Sequence, residues 1–395
     1  MNNFYIKDKK LFNQENRKKS REIIYSLNFN ISNHFSGACP PEIFVGRYNY
    51  PNVNAGILSP NFFENSEELS MPEIWYKKNF NIGDILMRRS KLIYGRFKTE
   101  IKSSNKNKFS ELMQEIAMSS KPISTEIFLK RNPKKYLEIN KYSPVITNFA
   151  PLDNLKINEN IKIDKKVDYL VSDIHSKSND AVIELYKSGI AVSNINKILS
   201  AGLLGIKINR KLVPTRWAIT AVDDNIGKEL INNIKYYKEL DEFLLFHSEY
   251  VGNHYEILLI PGNFSFEIIE ADVKFNDVKF WQDYESFHGR KNYAKEVVGG
   301  YYVARLAVSE YLERIKRQAN ILVLREITNK YYAHLGVGIL RETCRDAFNK
   351  IPEKFTNLKE AFDKMQERLN LNVEVFKDKS LLLNDYGKQK KLFDF

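Results

Sequence analysis

Two adjacent carboxylates, Asp223 and Asp224, follow residues 216–222, an apolar run with the length of a β-strand. Two carboxylates at the end of a strand could bind a divalent metal for phosphoryl chemistry, which would make that metal a cofactor. Together with Glu326, they are the candidate catalytic residues. A second interpretation is that Asp224 or Asn225 caps the helix that follows, as Asp and Asn commonly do. The sequence leaves both roles open, and with them the question of whether the protein is an enzyme.

Cationic side chains stand beside aromatic ones at several places in the sequence. Such groups suit a phosphate backbone and stacked bases. Other interpretations remain: Arg290 and Lys291 fit a solvated loop equally well, and Arg325 with Glu326 could form a structural network, because charges in an apolar strand are costly unless paired. If the candidates converge on one cleft, we predict that this cleft is the functional site. The candidate binding residues are Arg47, Tyr48, Arg216, Trp217, Arg290, Lys291, Arg305 and Arg325.

Two histidines, His247 and His254, lie close in sequence to Glu249 and Glu256. Histidine and carboxylate side chains bind zinc, but this spacing matches no known metal-site template. We therefore assign no metal ligands. The sequence also contains no P-loop, no dinucleotide-binding glycine motif and no nucleophile elbow.

The peptide from Gln389 to Phe395 places a Gln, a Leu and a Phe at intervals of three residues. In a 3₁₀ turn, residues three apart lie on the same side, so Leu392 and Phe395 would form one apolar plug, assisted by Phe393. The peptide resembles the PIP box with which replication and repair proteins bind the sliding clamp PCNA. It lacks the second aromatic residue of the fullest pattern, which predicts weaker affinity for the same partner. The alternative is a terminal strand or turn that packs on the protein's own core.

Composition favours a folded, intracellular protein. The 395 residues carry a formal net charge of +12 and are 43% hydrophobic, enough for a substantial core and two or three domains. Cys39 and Cys344 have no metal spacing, and two cysteines cannot form a disulfide framework. No run reaches the ~18 apolar residues that a membrane span needs, and the first 22 residues do not resemble a signal peptide. We expect a cytoplasmic protein with no membrane partner.

The pattern of apolar runs and turns predicts an α+β fold with a mixed, largely antiparallel central sheet, flanking helices and a flexible C-terminal tail. We expect a loop-rich and then helical region at 1–150, an α+β region at 151–375 and the tail at 376–395. Within these, residues 71–118 look helical and residues 149–166 resemble a linker or surface excursion. Strands are predicted at 216–222, 243–247, 255–260, 264–269 and 321–327, and helices at 226–237, after Gly299 and at 337–348.

A further set of segments spans nearly the whole chain in order: 41–48, Tyr50-Pro51, 54–60, 213–220 running to Lys228, 289–291, 298–302, 304–307, 324–327 and the terminal peptide. Together these segments resemble the archaeal Nre family of DNA repair proteins. The resemblance implies a DNA-repair role with recruitment by the sliding clamp. Many relatives begin with a cysteine-rich zinc motif; this chain lacks one, so it is similar to the zinc-free branch.

Three hypotheses follow. The first is a clamp-recruited enzyme that acts on damaged DNA. The second is a non-catalytic DNA-binding adaptor that uses the same tail. The third is an RNA-binding protein whose clamp motif is accidental.

Overall fold

The computed structural model describes residues 15–16, 18–24, 32–102, 107–138, 145–274 and 277–386. The terminal peptide Gln389 to Phe395 lies outside these residues. The described chain divides into two compact units. The N-terminal unit comprises residues up to 226 together with 333–338, and the C-terminal unit comprises 227–332 and the residues from 339 onward.

The N-terminal unit is built on a seven-stranded sheet with the order β1-β5-β7-β4-β3-β2, and β6 also pairs with β7. All its strand pairs are antiparallel except β4 with β7. The strands are β1 His34–Cys39, β2 Ile43–Val45, β3 Asn52–Ser59, β4 Ile93–Glu100, β5 Ile123–Leu129, β6 Lys134–Glu138 and β7 Ile146–Ile157.

Two expectations for this unit are corrected. Residues 149–166 are not a linker, because their first part belongs to the long strand β7. There Ala150, Leu152 and Leu155 are buried while polar residues between them face outward, which dilutes the apolar signal of a strand with one solvated face. The region 71–118 is not continuously helical either, since β4 interrupts it. Its helices are α1 Pro72–Lys77, α2 Ile82–Ser90 and α3 Lys108–Met118.

A third correction concerns residues 216–222, which form a helix rather than a strand. They belong to α7, which runs over Thr215–Ile234 and crosses from one unit into the other between residues 226 and 227. Ala218, Val222 and Ile226 are buried at intervals of four residues, which is the period of a helix. A short apolar run cannot be assigned to strand or helix by composition alone. The helices that precede it are α4 Lys165–Ser172, α5 Ser178–Lys187 and α6 Val192–Ser200.

The C-terminal unit contains a six-stranded sheet with the order β12-β11-β14-β10-β9-β15, in which only β11 and β14 are parallel neighbours. The four strands predicted from 243 onward are confirmed with slightly longer bounds. The α+β class with largely antiparallel sheets is also confirmed, although the strands form two large sheets rather than one. The elements are β8 Lys238–Glu239, β9 Phe243–Tyr250, β10 Asn253–Ile260, β11 Ser265–Asp272, β12 Lys279–Glu285, α8 Gly299–Ile315, β13 Arg317–Gln318, β14 Asn320–Ile327, α9 Val337–Ala347 and β15 Glu353–Phe355.

Three further helices cover one face of this sheet: α10 Leu358–Gln366, α11 Val373–Lys379 and α12 Leu381–Tyr386. The buried side chains of Phe376 and Leu382 pack into the same apolar cluster as Leu258 and Leu324 of the sheet. The flexible tail expected from 376 therefore does not include residues 376–386, which are folded onto the core. Charges from nearby lysines concealed the two short amphipathic helices in the sequence.

Candidate nucleic-acid interface

The turn between β2 and β3 lies against the first turn of α7. The backbone N–H of Val45 donates a hydrogen bond to Thr215 Oγ1 at 2.9 Å. Beyond the turn, the rings of Tyr50 and Trp217 are 5.2 Å apart between centroids and tilted by 55°. The structure thus brings two sequence-distant candidate segments, the one with Arg47 and Tyr48 and the one with Arg216 and Trp217, to one place in the N-terminal unit.

Three aromatic rings at this place are open to solvent. The exposed fractions are 65% for Tyr48, 41% for Tyr50 and 45% for Trp217. The guanidinium of Arg47 lies 5.4 Å from the centroid of the Tyr48 ring, and it has no hydrogen bond or ion pair with any other residue that the structure describes. We call Arg47, Tyr48, Tyr50 and Trp217 the aromatic patch. Arg216, next to Trp217, is half-buried.

In the C-terminal unit, two other candidates share one tyrosine. The guanidinium groups of Arg290 and Arg305 lie 5.0 Å and 5.4 Å from the centroid of the Tyr301 ring. Arg290 is paired with Asp283 at 2.8 Å, and Arg305 is paired with Glu285 at 3.0 Å. Arg305 and both acids are buried. Burial, followed by the Glu285 charge, raises the pKa of Tyr301 well above its usual value, so this phenol stays neutral.

Arg325 lies on the same side of this sheet as the N-terminal end of α8. Its guanidinium binds the Glu270 carboxylate and the Asn253 amide oxygen, and all three residues are buried. A Cβ atom at Gly300, in the first turn of α8, would lie 2.6 Å from Glu270 Oε1, so a larger residue here would displace the carboxylate that binds Arg325. We call Glu270, Asp283, Glu285, Arg290, Arg305 and Arg325 the arginine network.

Glu326 points to the opposite face from Arg325, as neighbours in a strand must. Its carboxylate accepts hydrogen bonds from the backbone N–H groups of Asn370 and Leu371 at 2.9 Å and 2.8 Å. Glu256 and Glu267 have similar roles on this face. Glu256 binds Arg368 at 2.7 Å, and Glu267 accepts from the backbone N–H of Leu381 at 2.9 Å.

These three buried glutamates hold the helical layer of α10 to α12 in place. Sequence reasoning missed Glu256 and Glu267 as anchors, although single acids inside apolar strands were the available signal. For Glu326 the same contacts occupy both carboxylate oxygens.

The acidic pair lies in α7, and the two histidines lie on neighbouring strands, His247 on β9 and His254 on β10. Asp223 and Asp224 are buried inside α7, well beyond its first turn, so neither caps this helix. Adjacent helical residues point about 100° apart, which separates the two carboxylates. His247 Nδ1 is 3.8 Å from Glu353 Oε1. His254 Nε2 is 2.8 Å from Glu256 Oε1, beside Arg368. Within the described residues, no three His, Cys, Asp or Glu side chains are grouped so that they could hold a metal ion.

The remaining candidate, Lys291, is exposed in the loop after β12. Within each unit, therefore, some of the candidates meet: four around the start of α7, and three in the arginine network. The single cleft stays a prediction. Over the part of the chain that the structure describes, no helix is long and apolar enough to cross a membrane.

Comparison with known families assigns the class of protein. The model for the N-terminal part of archaeal Nre proteins matches residues 17–276, and the model for the C-terminal part matches residues 285–395. This chain belongs to the archaeal Nre family, which confirms the resemblance found in the sequence. No solved structure matches it significantly.

Curated relatives share most of its length. A protein of Archaeoglobus fulgidus named DNA repair protein NreB is 35% identical over 91% of this chain and 91% of its own length. DNA repair protein NreA of Haloferax volcanii is 32% identical over 91% of this chain and 88% of its own. DNA repair protein NreA of Archaeoglobus fulgidus is 35% identical over 84% of each chain.

Proposed function

We propose that this protein is a cytoplasmic DNA-repair protein that binds DNA through the aromatic patch and is recruited by the sliding clamp PCNA through Gln389 to Phe395. The aromatic patch carries the DNA-binding part of the proposal. Exposed rings beside an arginine that has no ion pair with the described residues are the side chains that nucleic-acid surfaces use, and the chain has a net charge of +12. The names of the relatives support a role in DNA repair.

Recruitment by the clamp rests on the spacing of the terminal peptide. Gln389 would enter a polar pocket, while Leu392 and Phe395 would form the apolar plug with Phe393 beside them. Because a short segment must be ordered on binding, we expect a dissociation constant on the order of micromolar. A trimeric clamp or a simultaneous DNA contact would add avidity.

The test is calorimetric titration of the full chain with an archaeal PCNA. The double variant Leu392→Ala/Phe395→Ala should lose binding by about 30-fold or more, since each large apolar group contributes roughly 1.5–3 kcal/mol when buried. Lys391→Ala, inside the same peptide but outside the plug, is the matched control and should bind nearly as the natural chain does. Equal affinity of the double variant and the control would remove the clamp from the proposal.

Within this proposal, a non-catalytic adaptor is favoured over an enzyme that uses the candidate acids. Asp223 and Asp224 are neighbours in one helix, so their carboxylates point in different directions. The Glu326 carboxylate accepts hydrogen bonds from the backbone of residues 370–371. The enzyme remains the second candidate. Incubation of the protein with nicked, mismatched and base-damaged DNA, with and without Mg²⁺ or Mn²⁺, tests it. A covalent change in the DNA that is lost in a folded Asp224→Asn variant would establish the enzyme.

A further inference from the structure

The aromatic patch has the geometry of a stacking platform, and this tells which form of DNA it fits. We infer that it binds unpaired bases, in a single-stranded or locally opened stretch of DNA, and does not read intact duplex. The inference rests on the proposed DNA-binding function and deepens it by naming the ligand. Tyr48, Tyr50 and Trp217 would stack on the bases, and Arg47 would bind a neighbouring phosphate.

The rings are open but held in place. Tyr50 and Trp217 pack against one another, yet each keeps over two fifths of its surface exposed. The turn that carries Tyr50 is closed by a hydrogen bond from Asn52 N–H to the Asn49 carbonyl at 2.8 Å. Asn49 has a positive φ of 61°, a conformation that Asn tolerates well. A ligand would therefore meet rings that are already fixed, and little ordering entropy would oppose binding.

Arg47 adds a positive charge that is exposed to solvent and forms no ion pair within the described part of the chain. Among the described residues its guanidinium has a cation–π contact with the ring of Tyr48 and no hydrogen bond or ion pair with a carboxylate. A guanidinium can donate two parallel hydrogen bonds to a phosphate, and such charge-assisted bonds are about twice as strong as neutral ones. The patch thus offers both groups that a nucleotide requires: a face for the base and a cation for the backbone.

Duplex DNA does not present the faces of its bases to a surface such as the aromatic patch. In a duplex the faces of the bases are stacked inside, and only their edges line the grooves. Groove readout needs an array of hydrogen-bond donors and acceptors, whereas this patch consists mainly of flat rings. Every unpaired base, in contrast, has an accessible π-face, so stacking tolerates any sequence. Single-stranded DNA is therefore the ligand that fits.

The chain supplies a matched control for the test. Tyr169, also in the N-terminal unit, is 60% exposed and has Lys166 Nζ 5.1 Å from its ring centroid. Tyr48 is 65% exposed with Arg47 at 5.4 Å. The two sites differ in that Lys166 forms an ion pair with Glu184, and in that Tyr48 lies in the turn whose Tyr50 contacts the exposed ring of Trp217.

The experiment measures binding of the full chain to a labelled oligothymidine of about 16 nucleotides by fluorescence anisotropy. Trp217→Ala and Tyr48→Ala should each weaken binding about tenfold or more, whereas Tyr169→Ala should change it less than twofold. Trp217→Phe, which keeps a ring, should recover most of the loss. The natural chain should bind the oligonucleotide at least tenfold more tightly than a blunt duplex of the same length.

Three results would overturn the inference: patch variants that bind single strands as the natural chain does, equal affinity for duplex, or tighter binding of the matching oligouridine RNA. Clamp titration of the same variants separates this inference from the proposed recruitment. If the patch variants keep both clamp binding and single-strand binding, the inference and the DNA-binding role of the patch are contradicted, and recruitment stands. If the patch variants lose single-strand binding but the natural chain binds duplex equally well, only the inference is contradicted. Lost single-strand binding in a chain that never bound the clamp would support the inference and sink recruitment.

Discussion

The aromatic patch and the arginine network contain the same pairing of arginine with tyrosine, and they differ in what else the arginine contacts. Arg47 lies over Tyr48 at the surface and has no acidic partner among the described residues. Arg305 lies over Tyr301 in the interior and is bound to Glu285. A cation beside a ring is therefore no indicator of function by itself. Its exposure and its ion-pair partners decide the role.

Energetics explain the difference. A buried arginine without a carboxylate would lose its hydration with no compensation, so the network must pair each charge to fold. An exposed arginine keeps its water and needs no partner for stability. We therefore expect the network to stabilise the C-terminal unit, while the patch, exposed to solvent, contributes little to stability. Substitutions in the two regions should separate into effects on unfolding and effects on binding.

The largest effect is expected from Arg325→Met. Glu270 would be left buried without its cation, and we expect a loss of about 3–5 kcal/mol of the free energy of unfolding, measured in urea. Arg47→Met is the control and should change stability by less than about 0.5 kcal/mol. Similar unfolding curves for the two variants would contradict the contrast between network and patch.

The reactivity of the two cysteines can show which unit is destabilised in the Arg325→Met variant. Burial raises the pKa of Cys39 and of Cys344 to about 12, so neither thiol should react with Ellman's reagent at pH 8 while its unit is folded. Cys39 lies in the N-terminal unit and Cys344 in the C-terminal unit. In the Arg325→Met variant, Cys344 should become reactive before Cys39. If Cys39 reacted first, the N-terminal unit would be the destabilised one, which would contradict the role assigned to the arginine network.

A smaller effect on stability is expected from Glu326→Gln. The amide keeps the size of the side chain but replaces an acceptor oxygen by a donor, against the N–H groups of Asn370 and Leu371. We expect a loss of about 1–3 kcal/mol, measured by thermal unfolding, because a buried donor loses its partner. Glu374→Gln, at an exposed position, should have almost no effect. An unaltered Tm for Glu326→Gln would remove its anchoring role.

The smallest effect is expected from Arg47→Gln. Loss of one phosphate contact should lower the slope of log affinity for single-stranded DNA against log salt by about 0.7 and weaken binding modestly at low salt. Lys166→Gln, beside Tyr169, is the matched substitution and should leave the slope unchanged. An unchanged slope for Arg47→Gln would leave the rings as the only binding groups of the patch.

Sequence reasoning succeeded where local pattern determines structure. The apolar runs of the C-terminal sheet and the turn at Pro261-Gly262 were sufficient to predict β9, β10, β11 and β14. It failed at residues 216–222, where a run too short to show its period was taken for a strand and Asp223 and Asp224 were then placed at its end. Local sequence pattern does not predict contacts between residues that are far apart in the sequence. Nothing in the sequence indicates that Tyr50 packs on Trp217, or that Glu326 accepts hydrogen bonds from the backbone of residues 370–371.

Under the proposed recruitment, the contact between Glu267 and the start of α12 would limit how far the C-terminal unit can lie from the clamp. Because the carboxylate fixes the start of this helix, the folded body continues to Tyr386, and only residues 387 and 388 separate it from Gln389. Those few residues reach at most about 11 Å when fully extended. A clamp that bound Gln389 would hold the C-terminal unit close to the surface of the clamp, because the connection between them is so short. The short connection would then restrict the orientations in which the C-terminal unit can meet the encircled DNA.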